Sequence, residues 1–207
     1  NNRMAAQSLT IRSKGQTGVV DLGGGATVNS LSAKEIASRI NAQSTYTGGV
    51  TARAETYAFL SMGTGTQVAT ADFTLNGVSI QAYSSNAGSD VDGLVTAIND
   101  ASGKTGVVAK KVDLPGSSGT YRVELFAADG SDIKINNASV STQQTGGGSW
   151  NTSNILTVQG AYDSNGTITA VGATAAGATA AGAAALGGTG QATTVGGRVF
   201  FTNDVAF

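Results

Sequence analysis

The chain has 207 residues, a formal net charge of −1 and a pI near 5.3. It contains no Cys and no His, which removes thiol catalysis, disulfides, imidazole bases and nearly all zinc or copper sites. Its few Lys and Arg are not clustered, which argues against a nucleic-acid surface, and no run approaches the roughly 18 apolar residues of a membrane span.

Glycine is abundant, with 30 Gly against 1 Pro, while aromatic residues make up 6% and charged residues 12%. Ser, Thr, Asn, Ala and Gly dominate, so the surface is hydrated without being sticky, as suits an exposed structural part. The beginning of the chain, NNRMAAQSL, carries no signal-peptide apolar region.

Ser8-Leu9-Thr10-Ile11 opens with strand-like alternation. Gly23-Gly24-Gly25 follows, but neither Gly-Lys-Ser/Thr nor Gly-x-Gly-x-x-Gly comes after it, so a flexible connection is the default. Ser32 with Glu35 forms a capping-box pattern, and Leu31 with Ile36 occupies the hydrophobic-staple positions. A helix is therefore expected over about 32–43, burying Ile36 and Ile40 with Ala33 and Ala37 beside them. Gly49-Val50-Thr51-Ala52-Arg53-Ala54 alternates again and predicts a return strand. Met62 to Thr66 reads as a connector because Gly and Thr cluster there.

The pattern then repeats. Phe73 and Leu75 alternate with polar residues, as do Val78, Ile80 and Ala82. Asn76-Gly77 between them is a strong hairpin signal, since both residues tolerate positive φ. A helix is expected over about 89–101, with Ser89 as N-cap and Val91, Leu94, Val95 and Ile98 on one face. Gly106-Val107-Val108-Ala109, Tyr121 to Phe126 and Ala128-Asp129-Gly130-Ser131-Asp132-Ile133 complete this copy. Ile40-Asn41 and Ile98-Asn99, each followed by Gly-Val, recur at nearly matching offsets.

After Asn137 the composition shifts. Gln144 to Asn151 reads as a loop, Ile155 to Gly160 as a strand, and Asp163-Ser164-Asn165-Gly166 as a turn across which Thr167 to Val171 pairs back. Gly172 to Gly190 is an Ala/Gly-rich run that reads as a mobile loop or a marginal helix, since each Gly costs roughly 1 kcal/mol against Ala in a helix. Arg198-Val199-Phe200-Phe201 and Val205-Ala206-Phe207 close the chain with strand character, returning to the sheet of either copy.

No catalytic, cofactor-binding or metal-binding residue emerges. Asp163 begins like a calcium loop, but the twelfth position, which should be Glu, is Thr174. Asp90 and Asp92 suit a helix's first turn, Glu124 a solvent-facing strand position, and Asp129 and Asp132 a turn; no two present the facing pair of a glycosidase. Lys110 and Lys111, adjacent on a strand, point to opposite faces. Asn137, Asn151 and Asn165 match glycosylation sequons at a frequency chance accounts for. Trp150 in a polar loop, with Tyr46, Tyr57 and Tyr162, is the residue set a glycan-binding or adhesive module would use; packing of Trp150 over the base of its loop is the plainer reading.

Phe73 to Ile80, the Ala-Ile-Asn helix, the Gly-Val strand and Ala128 to Ile133 resemble the flagellin IN motif. Ala33 to Ala42 with Gly49 to Thr56 is similar to the central region of bacterial flagellins, and Gly197 to Thr202 resembles the strand that often ends that region. The resemblance covers about residues 5–136. It implies a non-enzymatic structural part on the outside of the extracellular flagellar filament, with neighbouring flagellin subunits, O-linked glycans, and antibodies or host surfaces as partners, and with no nucleic acid and no membrane. Flagellins carry long terminal helices that drive polymerisation; the chain shows none, so a soluble monomer is expected. Filament cap and hook-associated proteins share the motif and stand as the alternative. The expected fold is α+β: two tandem antiparallel-sheet-plus-helix units at 1–66 and 67–140, and a β-rich, Gly/Ala-rich C-terminal excursion at 141–207.

Overall fold

The computed structural model describes residues 8–22, 31–62, 68–85, 89–143, 151–154, 156–165, 167–170, 183–186 and 192–203. In chain order the elements are β1 (Ser8–Ser13), β2 (Gln16–Asp21), α1 (Ala33–Ala42), β3 (Thr51–Met62), β4 (Val68–Leu75), β5 (Val78–Ser84), α2 (Asp92–Asp100), α3 (Ser102–Thr105), β6 (Val108–Asp113), β7 (Tyr121–Ala127), β8 (Ile133–Gln143), β9 (Asn151–Asn154), β10 (Leu156–Ser164), β11 (Thr167–Ala170), β12 (Ala183–Leu186), β13 (Ala192–Val195) and β14 (Arg198–Thr202). The protein is mostly β-sheet with few helices, compatible with the expected α+β class.

Two compact units interleave along the chain. One takes residues 1–56, 128–132 and 196–207; the other takes 57–127 and 133–195. Consecutive segments with boundaries at 66 and 140 were expected. The difference has a simple cause: β3 runs on past residue 56, placing its first half in one unit and its second half in the other.

In the first unit β1 and β2 form a hairpin joined by Lys14-Gly15, whose φ values of 50° and 73° make a two-residue primed turn. The start of β3 pairs antiparallel with β14, Arg198 opposite Glu55 and Phe200 opposite Arg53. Helix α1 buries Ala33, Ile36, Ala37 and Ile40 against Val20, Leu22, Ala52 and Ala54, with Leu31 packed at the edge of the same cluster. Its N-terminus forms as the capping box predicts: Ser32 N–H donates to Glu35 Oε2 at 2.8 Å, and Glu35 N–H donates to Ser32 Oγ at 3.3 Å.

The second unit is a sandwich. One sheet has the order β11-β10-β3-β7-β6, with β12 also on β10; the other has the order β13-β8-β4-β5, with β9 also on β8. Leu60, Val123, Leu125, Leu156 and Val158 from the first sheet meet Phe73, Leu75, Ile80, Ile133 and Ile135 from the second in one core. Helix α2 packs against β5 and β6 and inserts Val91, Leu94 and Ile98, each fully buried. Each such side chain contributes about 1.5–3 kcal/mol of apolar burial. Asp72 stands opposite Ser139 but Thr74 opposite Asn136, so β8 carries one extra residue there, a bulge facing β4. One extra residue flips the side-chain parity, so Ile133 and Ile135 face the core and Ala138, three positions on, does too.

Several expectations are corrected. Ser89 is not the cap of α2: the N-cap is Val91, without a side-chain bond, and the acceptor role passes to Asp90, whose Oδ1 accepts from Asp92 N–H at 3.3 Å. The composition shift after Asn137 does not end the strand there: β8 runs on to Gln143. Within the Ala/Gly-rich run, Ala183–Leu186 is neither loop nor helix but a strand, because β10 offers it ladder partners from Leu156 to Gln159. The rest of that run, like Gly23 to Gly25, Ile155 and Val205 to Phe207, lies outside the described residues. The turn after Asn165 and its returning strand β11 are as expected, and β14 returns to β3 in the first unit.

Candidate functional site

The recurring Ile-Asn pairs mark the same junction twice. In α1, Ile40 is fully buried and Asn41 turns outward from it. Asn41 Nδ2 donates to the Ala52 carbonyl at 2.8 Å, and its Oδ1 accepts from Ala52 N–H at 2.7 Å. In α2, Ile98 is fully buried; Asn99 Nδ2 donates to the Ala109 carbonyl at 3.0 Å, and Oδ1 accepts from Ala109 N–H at 2.8 Å. A carboxamide carries the donor and acceptor that a neighbouring peptide group would present. Each Asn therefore stands in for one residue of an absent strand, and satisfies the edge of the strand that follows its helix.

Between Asn and strand lies a second shared residue. Thr47 and Thr105 each sit six positions after the Asn and are buried. The Thr47 hydroxyl lies 3.1 Å from the Ser44 carbonyl and 3.3 Å from that of Val50. Thr105 Oγ1 accepts from Val107 N–H at 3.2 Å. Val50 and Val107 are both buried immediately afterwards. Sequence reading passed over this threonine although its spacing was visible. The first copy has one extra residue before the strand, so Asn41 reaches eleven positions on and Asn99 ten.

The carboxylates singled out in the sequence are spread among separate partners. Asp90 Oδ2 accepts from Ser85 N–H at 3.0 Å and from Ser85 Oγ at 2.5 Å, and these bonds hold its carboxyl below the usual range. Asp92 pairs with Lys111 at 3.0 Å, and Lys111 also lies over the Tyr121 ring. Lys110 stands opposite Glu124 in the β6–β7 ladder. Asp129 does not stay with the second copy, where the sequence put it: it pairs with Lys34 at 2.7 Å in the first unit, beside Gly130, whose carbonyl accepts from Lys34 N–H at 3.1 Å. Burial pushes the Asp129 carboxyl up, but bonds from Lys34 and Ser131 outweigh it and lower it, while the Lys34 ammonium is raised. Asp163 lies in β10 at the turn into β11. Among the described residues, no group of three or more His, Cys, Asp or Glu is placed to hold a metal ion.

Tyr57 is stacked on Phe126 at 4.5 Å in the second unit, Tyr46 is exposed in the first, and Trp150 lies outside the described residues. Arg122 lies 3.4 Å above the Phe59 ring, where burial lowers its pKa. Among the described residues no helix is long and apolar enough to cross a membrane.

A family model matches the part of the chain that holds the second junction. Residues 72–129 match the flagellin hook IN motif. That match covers most of the stretch, Phe73 to Ile133, on which the resemblance to the flagellin IN motif was drawn. No curated protein matches the chain. Among solved structures, the D1-D2-D3 domains of the flagellar cap protein FliD from Escherichia coli are 16% identical with a TM-score of 0.27, covering 75% of this chain and 50% of that one. The D2-D3 domains of the same protein are 14% identical with a TM-score of 0.25, covering 75% of this chain and 95% of that one. The chain thus spans half the length of the first of these structures.

Proposed function

We propose that the chain is the surface-exposed outer domain of a bacterial flagellin, displayed on the extracellular flagellar filament and contributing to motility as a structural part. The observation that carries this is the IN motif at residues 72–129, together with the use of the same Asn-to-strand clamp at Asn41 and Asn99. The shared clamp also supports reading the two copies as tandem versions of one sheet-plus-helix unit. A carboxamide clamp needs no ligand, no metal and no unusual pH, which suits a part that must hold its shape outside the cell.

Neighbouring subunits are the partners this reading gives it, with O-linked glycans on exposed Ser and Thr, and antibodies or host surfaces, as further contacts. The isolated chain is then a soluble monomer, because the apolar stripes of α1 and α2 are spent on their own cores. Contacts between neighbours would be weak singly and effective through local concentration on a filament. Immunogold labelling of intact filaments with antibody to this chain tests the reading. Labelling along the filament is expected; labelling confined to the tip or the hook junction would assign the chain to a cap or hook-associated protein, and no labelling would refute both.

A further inference from the structure

The chain has four Asn-Gly or Asp-Gly steps, at Asn76, Asp92, Asp129 and Asn165. Such a step is chemically labile, because glycine has no side chain to keep its main-chain nitrogen away from the preceding side-chain carbonyl. The fold pins three of the four. Asn76 donates its N–H to the Lys134 carbonyl at 2.9 Å, accepts from Lys134 N–H at Oδ1 at 2.8 Å, and donates from Nδ2 to the Thr105 carbonyl at 2.8 Å. Asp92 opens α2 with its carboxylate on Lys111, and Gly93 after it lies against the Tyr83 carbonyl. Asp129 accepts from Ser131 N–H and Ser131 Oγ, both at 2.9 Å, and from Lys34, while Gly130 is buried against Ala54.

Asn165 differs. It is exposed, and among the described residues nothing bonds its carboxamide. Its φ of 57° is left-handed, like the 49° of Asn76, so the two asparagines differ in their partners and not in φ. Ser164 stands opposite Thr167 at the end of the β10–β11 ladder, with only Asn165 and Gly166 between them in the sequence. Strand β11 is four residues long and lies at the edge of its sheet. Alternate residues bond across an antiparallel ladder, so Thr167 and Thr169 bond to β10. Ile168 and Ala170 pack with Phe59 and Ala161 on the sheet's outer face.

We infer that Asn165 is a self-modification site, where the main chain converts asparagine to aspartate and isoaspartate without an enzyme, and that isoaspartate there loosens β11. The Gly166 nitrogen gives its proton to solvent base and attacks Asn165 Cγ. The new N–C bond closes a succinimide, the Cγ–Nδ2 bond breaks, and the leaving nitrogen takes a proton from water and departs as ammonia. Water then opens the ring. Opening at the side-chain carbonyl gives aspartate; opening at the main-chain carbonyl gives isoaspartate, whose main chain runs through the side-chain carbon. The longer link and its negative charge sit where the ladder starts, so Ser164 and Thr167 lose register. With β11 loosened, β10 keeps an unpaired edge from Ala161 to Ser164. The reaction needs only water, so it proceeds whether or not the chain stands on a filament.

The test is incubation of the full chain at mildly alkaline pH, then peptide mapping by mass spectrometry with electron-based fragmentation, which separates isoaspartate from aspartate. Asn165 should convert at least about tenfold faster than Asn76, because each bond that Asn76 must break first thins its reactive population. In concentrated urea the two rates should converge, which shows that the fold and not the neighbouring sequence sets the difference. Asn165→Asp supplies the charge without the longer main chain. Hydrogen exchange at the Thr169 amide should stay slow in that variant and speed up in the isoaspartate form separated from the aged chain. Equal rates at Asn76 and Asn165 in the folded chain, no conversion of Asn165 while a capped SNGT peptide converts fully, or unchanged exchange at Thr169 in the isoaspartate form would each overturn the inference.

Discussion

Asn99 grips Ala109 by both ends of its carboxamide, donating from Nδ2 at 3.0 Å and accepting at Oδ1 at 2.8 Å. Replacing it with Ala removes both bonds and leaves an N–H and a C=O of β6 at an edge beside the buried Val107. A loss of about 1–3 kcal/mol is expected from the unmade bonds, read by urea denaturation. Asn99→Asp keeps the acceptor but sets a carboxylate oxygen against the Ala109 carbonyl, so it should be at least as damaging. Hydrogen exchange at the Ala109 amide should speed up in both variants while the amide of Leu125 keeps its protection.

Asn41→Ala tests whether the first junction has the same weight. The bonds to Ala52 are slightly shorter, at 2.8 and 2.7 Å, so a cost of the same order, about 1–3 kcal/mol, is expected. Exchange at the Ala52 amide is the local readout. A loss under about 0.3 kcal/mol in either variant would mean the clamp follows the fold without stabilising it.

Two helical glycines should respond in opposite directions. A methyl at Gly93 would collide with the Tyr83 carbonyl, a backbone atom that can move only with β5; Gly93→Ala should destabilise the chain by about 1–3 kcal/mol. A methyl at Gly103 meets nothing within 4 Å, and Gly103→Ala should raise stability by about 0.5–1 kcal/mol. Thermal melts of the two variants provide the comparison.

Ser32→Ala and Glu35→Gln dissect the capping box of α1. The first removes the acceptor of Glu35 N–H, and a loss of about 1 kcal/mol is expected. The second keeps an acceptor for Ser32 N–H but not its charge, and should cost less. By contrast, the exposed pair of Lys34 with Asp129 is screened by solvent and should add little, and less as salt is raised.

Asp90 sets a pH dependence whose sign is fixed. Its folded carboxyl is held below the ordinary value of 3.8, first by the Ser85 hydroxyl and then by the Ser85 N–H. The stabilisation is therefore full above that value and is lost as pH falls through the lower folded one. Asp90→Asn should cost about 1 kcal/mol at neutral pH, with solvent screening reducing the charge-assisted part. The difference from the parent chain should shrink when both are melted at pH 3 and below.

The parts legible in the sequence were those fixed by local chemistry. Ser32 and Glu35 placed the start of α1 within a residue, and Asn76-Gly77 placed the β4–β5 turn. Lys14-Gly15 makes the same turn but gives no signal, because a lysine at φ of 50° is a conformation its neighbours impose. Ser89 has the right chemistry for a cap, yet the Asp90 carboxylate next to it took the acceptor role. Long-range pairing was the other blind spot. Nothing local to Ala183–Leu186 tells that β10 will hold it as a strand, or that Asp129 and Gly130 leave β7 to pack on Lys34 and Ala54. The junction residues were visible as a repeat, and their use was not: the Ile-Asn spacing recurs in the chain, but the bond to the strand edge exists only once helix and strand are both formed.

The pairing of β14 with β3 has a kinetic side. Thr51 lies opposite Thr202, and the first unit also draws in residues 128–132. Closing a loop of that length costs entropy before any contact repays it. During synthesis at about 5–20 residues per second, residues 8–56 therefore wait many seconds for Arg198–Thr202, and until then the edge of β3 that β14 will cover is an unpaired strand. A chain arrested before residue 198 would keep the helix and hairpin sequences but lack the strand that completes their unit, so it should be the form most readily captured by chaperones and cut by proteases.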